Sequence, residues 1–266
     1  MELHGAVADE TARSIQAEVE ACYRALAVPL PASVSLCLFD TLERWRGFAA
    51  RQRAEAGVVT AGDEGFLATH DAWAGEPRLG VCLERLQVQP RLLQQGALHQ
   101  VVAHSVLHGR PDYYRFTIPG VLVSISKARG VELEILQQIL YFVAIAVKGH
   151  EAVSLLVRHG FIEDQIALAL YQLESRDDDV ALWKMARWDT RSRLLYLSAQ
   201  LKPLLYLQPL LPHSPGLAEC GQAMMAHIPP ETVERLESVV STMVGQRSGD
   251  THCDVVAGLG LVLECL

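Results

Sequence analysis

A strand pattern that leads directly into a helix pattern constrains the fold of this chain most. Apolar side chains at every second position from Leu79 are typical of a strand that is buried mainly on one face. Pro90 suits the first turn of a helix, and Gly109 suits its end. The sequence therefore predicts a strand at residues 78–86 and a helix at residues 91–108.

Other helices are indicated by apolar residues that recur at three- and four-residue steps. Residues 9–26 predict an amphipathic helix, and residues 131–157 predict a long helix that is apolar on nearly every side and belongs at the centre of the core. Residues 45–56 fit either a helix or a long strand. Helical patterns in the C-terminal part cover residues 166–173, 180–207, 230–244 and 253–266.

Strand patterns are confined to the N-terminal part of the chain. Residues 34–39 alternate as a mostly buried strand, residues 62–65 predict a turn, and residues 66–70 resume the sheet. Together with the helices, they predict an α+β fold. We expect a small sheet and the helix 91–108 in residues 1–160, followed by a mainly helical region, residues 161–266, packed on it.

Composition excludes several classes of partner. The chain has 266 residues, 50% of them hydrophobic, and a net charge of −8 without any basic block, so nucleic acid is not expected to bind. The longest apolar run, residues 139–147, is far shorter than the roughly 20 residues that cross a bilayer, so no membrane partner is expected. The N-terminal residues lack a basic and then apolar signal, which favours a cytoplasmic protein with reduced cysteines.

Histidines on the helix 91–108 resemble part of a zinc-binding motif. A working HExxH helix places two imidazoles one turn apart, and the Glu beside the first polarises a zinc-bound water. Aligned on His104, the first ligand position holds Gln100 and the base position holds Val101. His104 and His108 lie about 40° apart around the helix and form a two-ligand pair, whereas His99 is about 140° from His104. His99 is therefore a poor replacement ligand.

The order of helix, strands, motif helix and second long helix over roughly the first 160 residues resembles zincin-like metallopeptidases of the gluzincin type. The resemblance implies that the strand at residues 78–86 lies along the substrate cleft. It also implies a third zinc ligand from the second long helix, where Glu151 or His150 matches that position. A shifted site of His104, His108 and one of these residues would leave a coordination position for water.

These observations support three functional hypotheses. In the first, the chain is a zincin-like protein that has lost zinc-dependent peptidase activity and binds a peptide or protein in a remnant cleft, because Val101 cannot transfer a proton and the amide of Gln100 is a weak zinc ligand. The second is a metal-dependent hydrolase that uses one zinc ion at His104 and His108. The third is a helical interaction module without a metal site.

Overall fold

A four-stranded sheet organises the N-terminal part of the fold. In the computed structural model, which describes residues 1–56, 66–174 and 177–265, the strands are β1 (Glu2–His4), β2 (Ser35–Phe39), β3 (Ala68–Asp71) and β4 (Arg78–Cys82). Their order across the sheet is β1-β2-β4-β3. β1, β2 and β4 run parallel, and β3 runs antiparallel to β4. Among the described residues, β3 is thus an edge strand of this sheet.

Helices make up most of the rest of the described chain, so the predicted α+β fold with a small sheet and a helical C-terminal part is confirmed. The α-helices are α1 (Asp9–Leu26), α2 (Leu42–Ala56), α3 (Leu83–Leu86), α4 (Arg91–His108), α5 (Gly120–Ala128), α6 (Leu133–Arg158), α7 (Glu163–Leu173), α8 (Asp177–Ala186), α9 (Thr190–Leu207), α10 (Gly216–Met224), α11 (Pro230–Gly245) and α12 (Thr251–Cys265), and a short 3₁₀ helix covers Pro111–Tyr114.

The chain divides into two compact units. The first comprises Met1–Arg115 and Glu151–Leu168, and the second comprises Phe116–His150 and Ala169–Leu266. These divisions differ from a single boundary at residue 160, because α6 and α7 each contribute residues to both units. The sheet and the motif helix α4 belong to the first unit.

One face of the sheet is covered by α2. Side chains alternate between the two faces of a strand, and Cys37 and Phe39 point together toward Trp45 and Ala49 of α2. Gly80 of β4 lies directly beneath the indole, since a Cβ atom there would lie 2.7 Å from Cζ3 of Trp45. Residues 45–56 fit either a helix or a strand by sequence. In the structure they belong to helix α2, which buries Trp45 against the sheet.

α4 packs against β3, β4 and α1 and has the predicted bounds. Its position is fixed partly by a close approach to α7. A Cβ atom on Gly96 would lie 2.3 Å from the carbonyl oxygen of Asp164, so only glycine allows this distance between the two backbones. The motif helix is thereby held between the sheet and two other helices.

Two sequence predictions differ from the structure, and one strand was not predicted. The strand predicted at residues 78–86 ends at Cys82, because the chain turns there into the short helix α3. The helix predicted at residues 180–207 is two helices, α8 and α9, and the side chain of Asp189 caps the second by accepting a hydrogen bond from the backbone N–H of Ser192 at 2.8 Å. The three-residue strand β1 was not predicted. The turn at residues 62–65 lies outside the described residues.

The strand before the motif helix is not at the edge of the sheet. β4 pairs with β2 on one side and with β3 on the other, so its backbone hydrogen-bonding groups are used within the sheet. β4 is therefore an inner strand of the sheet, and the expectation that residues 78–86 lie along a substrate cleft stays a prediction. Within the described ranges, the strand that offers an edge beside α4 is β3.

α6 is long and apolar enough to cross a bilayer by length and composition alone. However, 78% of its apolar window is buried inside the protein, which is also true of core helices in soluble proteins. A long, mostly buried helix was predicted at residues 131–157, and α6 covers Leu133–Arg158.

Candidate functional site around the motif helix

The four motif positions on α4 differ in their exposure. Val101 is 3% exposed and packs in the core, and His108 is 0% exposed. Gln100 and His104 are half-buried on the same side of the helix. The amide nitrogen Nε2 of Gln100 is shielded from solvent and has no hydrogen-bond partner among the described residues. The position that holds a base in HExxH helices is thus an aliphatic core residue here.

His104, His108 and Glu151 lie next to one another in the structure. Nδ1 of His104 lies 3.2 Å from Nδ1 of His108, and Nε2 of His108 lies 2.7 Å from Oε2 of Glu151. An ionised carboxylate can only accept hydrogen bonds, so neutral His108 carries its proton on Nε2 and presents the lone pair of Nδ1 to His104. Glu151 therefore fixes both the ring orientation and the tautomer of His108.

A third histidine, His70 of β3, was not identified from the sequence. Its ring stacks on that of His104 with a centroid distance of 6.1 Å and an interplanar angle of 9°. The hydroxyl of Tyr114 lies 2.7 Å from Nδ1 of His70. Burial and then the nearby charge of Asp71 raise the pKa of Tyr114 well above its usual value, so the phenol stays protonated and can donate. A lone histidine at the end of a short strand gives no signal that it faces a helix.

His150 and His99 take part in other contacts. His150 belongs to the second unit, where its Nδ1 donates a hydrogen bond to the carbonyl oxygen of Leu205 at 2.9 Å. Nδ1 of His99 lies 2.7 Å from Oδ2 of Asp164, and its Nε2 lies 3.0 Å from Oε1 of Glu18. His99 thus points away from His104 and contacts α7 and α1 instead. These two contacts connect α1, α4 and α7.

The fit of a zinc ion to this site is partial. Two zinc-bound imidazole nitrogens are separated by about 3.3 Å in a tetrahedral site, so the 3.2 Å between the Nδ1 atoms of His104 and His108 suits a pair of ligands. Within the described chain, however, the ligand atoms of His104, His108 and Glu151 do not all lie within 4.8 Å of one another. Glu151 contacts the far nitrogen of His108, where carboxylates orient metal-bound histidines rather than bind the metal. The ligand set of His104, His108 and either Glu151 or His150 stays a prediction.

Comparisons with known proteins identify no relative. No protein-family model, no curated protein and no solved structure matches the chain. The resemblance to zincin-like proteins therefore remains a prediction that depends on the motif helix and its neighbours.

The hydrogen bond between His108 and Glu151 gives a first testable prediction. Glu151→Ala is expected to lower the free energy of unfolding by about 1–3 kcal/mol, because it removes the buried acceptor of His108 Nε2–H. Glu151→Gln keeps an acceptor oxygen and should cost less. Urea denaturation of both variants measures the difference, and equal stability of Glu151→Ala and the wild-type protein would contradict the assigned role.

Proposed function

We propose that this chain is a zincin-like protein without zinc-dependent peptidase activity, and that it binds a peptide or protein segment in extended conformation along β3. The observation that carries the proposal is that β3, in the part of the chain that the structure describes, is an edge strand and packs against the motif helix α4. An edge strand offers unpaired backbone groups to an added strand, which is a common mode of peptide recognition.

The chemistry of α4 supports the loss of catalysis. A metallopeptidase needs a base beside the zinc-bound water, and the matching residue, Val101, is aliphatic and 3% exposed. Gln100, at the first ligand position, offers an amide, which binds zinc weakly compared with a neutral imidazole. Neither side chain can substitute for the residue that the reaction requires.

The register of β3 identifies which backbone groups face the open edge. The backbone N–H of Cys82 donates to the carbonyl oxygen of Leu67 at 3.1 Å, so these two residues form a hydrogen-bonded pair. Such pairs alternate with non-hydrogen-bonded pairs in an antiparallel ladder. Ala68, which is paired with Val81, therefore directs its N–H and C=O away from β4 and toward an added strand.

A proline substitution tests this edge with little disturbance of the sheet. Ala68→Pro removes an outward N–H at the first residue of the strand, where proline is tolerated. Peptides are first selected from a phage-displayed library of random linear sequences and then titrated against each variant. Ala68→Pro is expected to weaken binding by about tenfold or more, which corresponds to about 1.4 kcal/mol, whereas the control Ala68→Ser keeps the N–H and should bind normally. Unchanged affinity in Ala68→Pro would overturn the proposed mode.

One observation favours the second hypothesis, a metal-dependent hydrolase. The 3.2 Å separation of the two Nδ1 atoms suits a metal ion held by His104 and His108. This hypothesis requires a hydrolytic activity that is lost when a chelator removes the metal and that His104→Ala abolishes. The third hypothesis, a helical interaction module without a metal site, would be favoured by a motif helix that does not face the helix of Glu151; His108 and Glu151 are 2.7 Å apart.

A further inference from the structure

A second group of metal-ligating side chains lies on the opposite face of the sheet from α4. Glu2 and His4 are two residues apart on β1, so their side chains share one face, and Cys37 is the register partner of Glu2 on β2. One oxygen of Glu2, one nitrogen of His4 and the sulfur of Cys37 all lie within 4.8 Å of one another. No other group of three such ligands at this spacing is found among the described residues.

We propose that Glu2, His4 and Cys37 form a zinc site. Nε2 of His4 lies 3.4 Å from Oε2 of Glu2, within the range of about 3.3–3.7 Å that separates ligands of a tetrahedral zinc ion. A carboxylate, a thiolate and a neutral imidazole together neutralise the charge of Zn²⁺. The thiolate selects zinc or another soft ion over magnesium or calcium.

The imidazole of His4 is held in place for this role. Its ring stacks on Phe39 at a centroid distance of 4.4 Å and an interplanar angle of 7°. The carbonyl oxygen of His4 accepts a hydrogen bond from the backbone N–H of Asp40 at 3.1 Å, which fixes the end of β1 beside β2. Nε2 of His4 is nevertheless shielded from solvent and makes no hydrogen bond within the described chain. A metal ion would satisfy this buried nitrogen.

The sulfur of Cys37 has a different environment when no metal is bound. Cys37 is 0% exposed, and burial and then the negative charge of Glu2 raise its pKa to about 12. Zinc binding replaces the thiol proton with the ion, and the proton is released to solvent.

The three protein ligands leave one tetrahedral position for water. Glu2 also lines an adjacent cleft of about 320 Å³ together with Gln52, Glu76 and Arg78.

Cobalt is the probe that reports the sulfur ligand directly. The tag-free chain, freed of metal by a chelator, is titrated with Co²⁺, and a thiolate-to-cobalt charge-transfer band is expected to saturate at about one equivalent. Cys37→Ala should abolish the band. The matched control is Cys82→Ala, because Cys82 is likewise 0% exposed in the same sheet, and this variant should keep the band.

Glu2 and His4 are more exposed than Cys37, so their variants should disturb the core less. His4→Gln and Glu2→Gln are each expected to weaken Co²⁺ and Zn²⁺ binding by about tenfold or more, with an unchanged circular dichroism spectrum. A wild-type protein without the band, or a band that persists in Cys37→Ala or is unaffected in both Gln variants, would overturn the site. Cobalt held by His104 and His108 would lack the thiolate band, so the test is independent of the proposal for α4.

Discussion

Val101→Glu is expected to destabilise the protein by about 3–5 kcal/mol at neutral pH. The substitution restores the acidic residue of the HExxH pattern, but Val101 is 3% exposed in the core of the first unit, and a buried carboxylate without a partner is costly. Burial raises the pKa of a carboxyl group in the folded state above its unfolded value. The folded state therefore binds more protons, and the loss of stability should grow as the pH rises through the raised pKa and shrink at lower pH.

Urea denaturation at several pH values measures this effect. Val101→Thr is the matched control, since it keeps the shape of the side chain and adds only a hydroxyl, and it should cost less at every pH. The double variant Gln100→His/Val101→Glu adds an imidazole one turn before His104, so zinc should raise its melting temperature more than that of the wild-type protein. A Val101→Glu variant as stable as the wild-type protein would show that position 101 faces a solvated cleft, contrary to the structure.

His99→Ala is expected to cost about 3–5 kcal/mol of unfolding free energy. His99 lies between the carboxylates of Asp164 and Glu18, and its removal leaves Asp164, which is 7% exposed, without its histidine partner. The ring also packs edge-on against Phe161 at a centroid distance of 4.6 Å, so a cavity adds to the loss.

A control on the same helix separates this contact from a general effect on α4. Leu92 is 46% exposed, and Leu92→Ala should change stability by no more than about 0.5 kcal/mol. Thermal and urea denaturation measure both variants. A loss below about 1 kcal/mol in His99→Ala would contradict the role of His99 in joining α1, α4 and α7.

The sequence predicts the helices of this fold well where one apolar face is continuous. α1 and α4 have the predicted bounds, because their periodic apolar residues end at clear breaks such as Pro90 and Gly109. The break between α8 and α9 was missed because apolar periodicity continues on both sides of it, and only the capping side chain of Asp189 marks it. β1 was missed because three residues are too few for a period of two to be recognised.

The sequence predicted only those relations of the candidate site that lie within the single helix α4. Helical phase correctly grouped His104 with His108 and set His99 apart, since these relations depend on spacing along a single element. The stacking of His70 on His104 depends on how β3 lies against α4, and the chain between these residues carries no signal for that contact. The grouping of Glu2, His4 and Cys37 likewise depends on strand register, which a single sequence does not specify.

The central claim is that this chain binds an extended peptide without cleaving it. The most direct test is mass spectrometry of a mixed-sequence peptide library after incubation with the tag-free protein and an excess of zinc over both candidate metal sites, with bound and free peptides analysed separately. We predict that the wild-type protein retains intact peptides, that Ala68→Pro retains far fewer, and that no new peptide termini form. New termini that are produced by the wild-type protein and are absent with His104→Ala would contradict the claim.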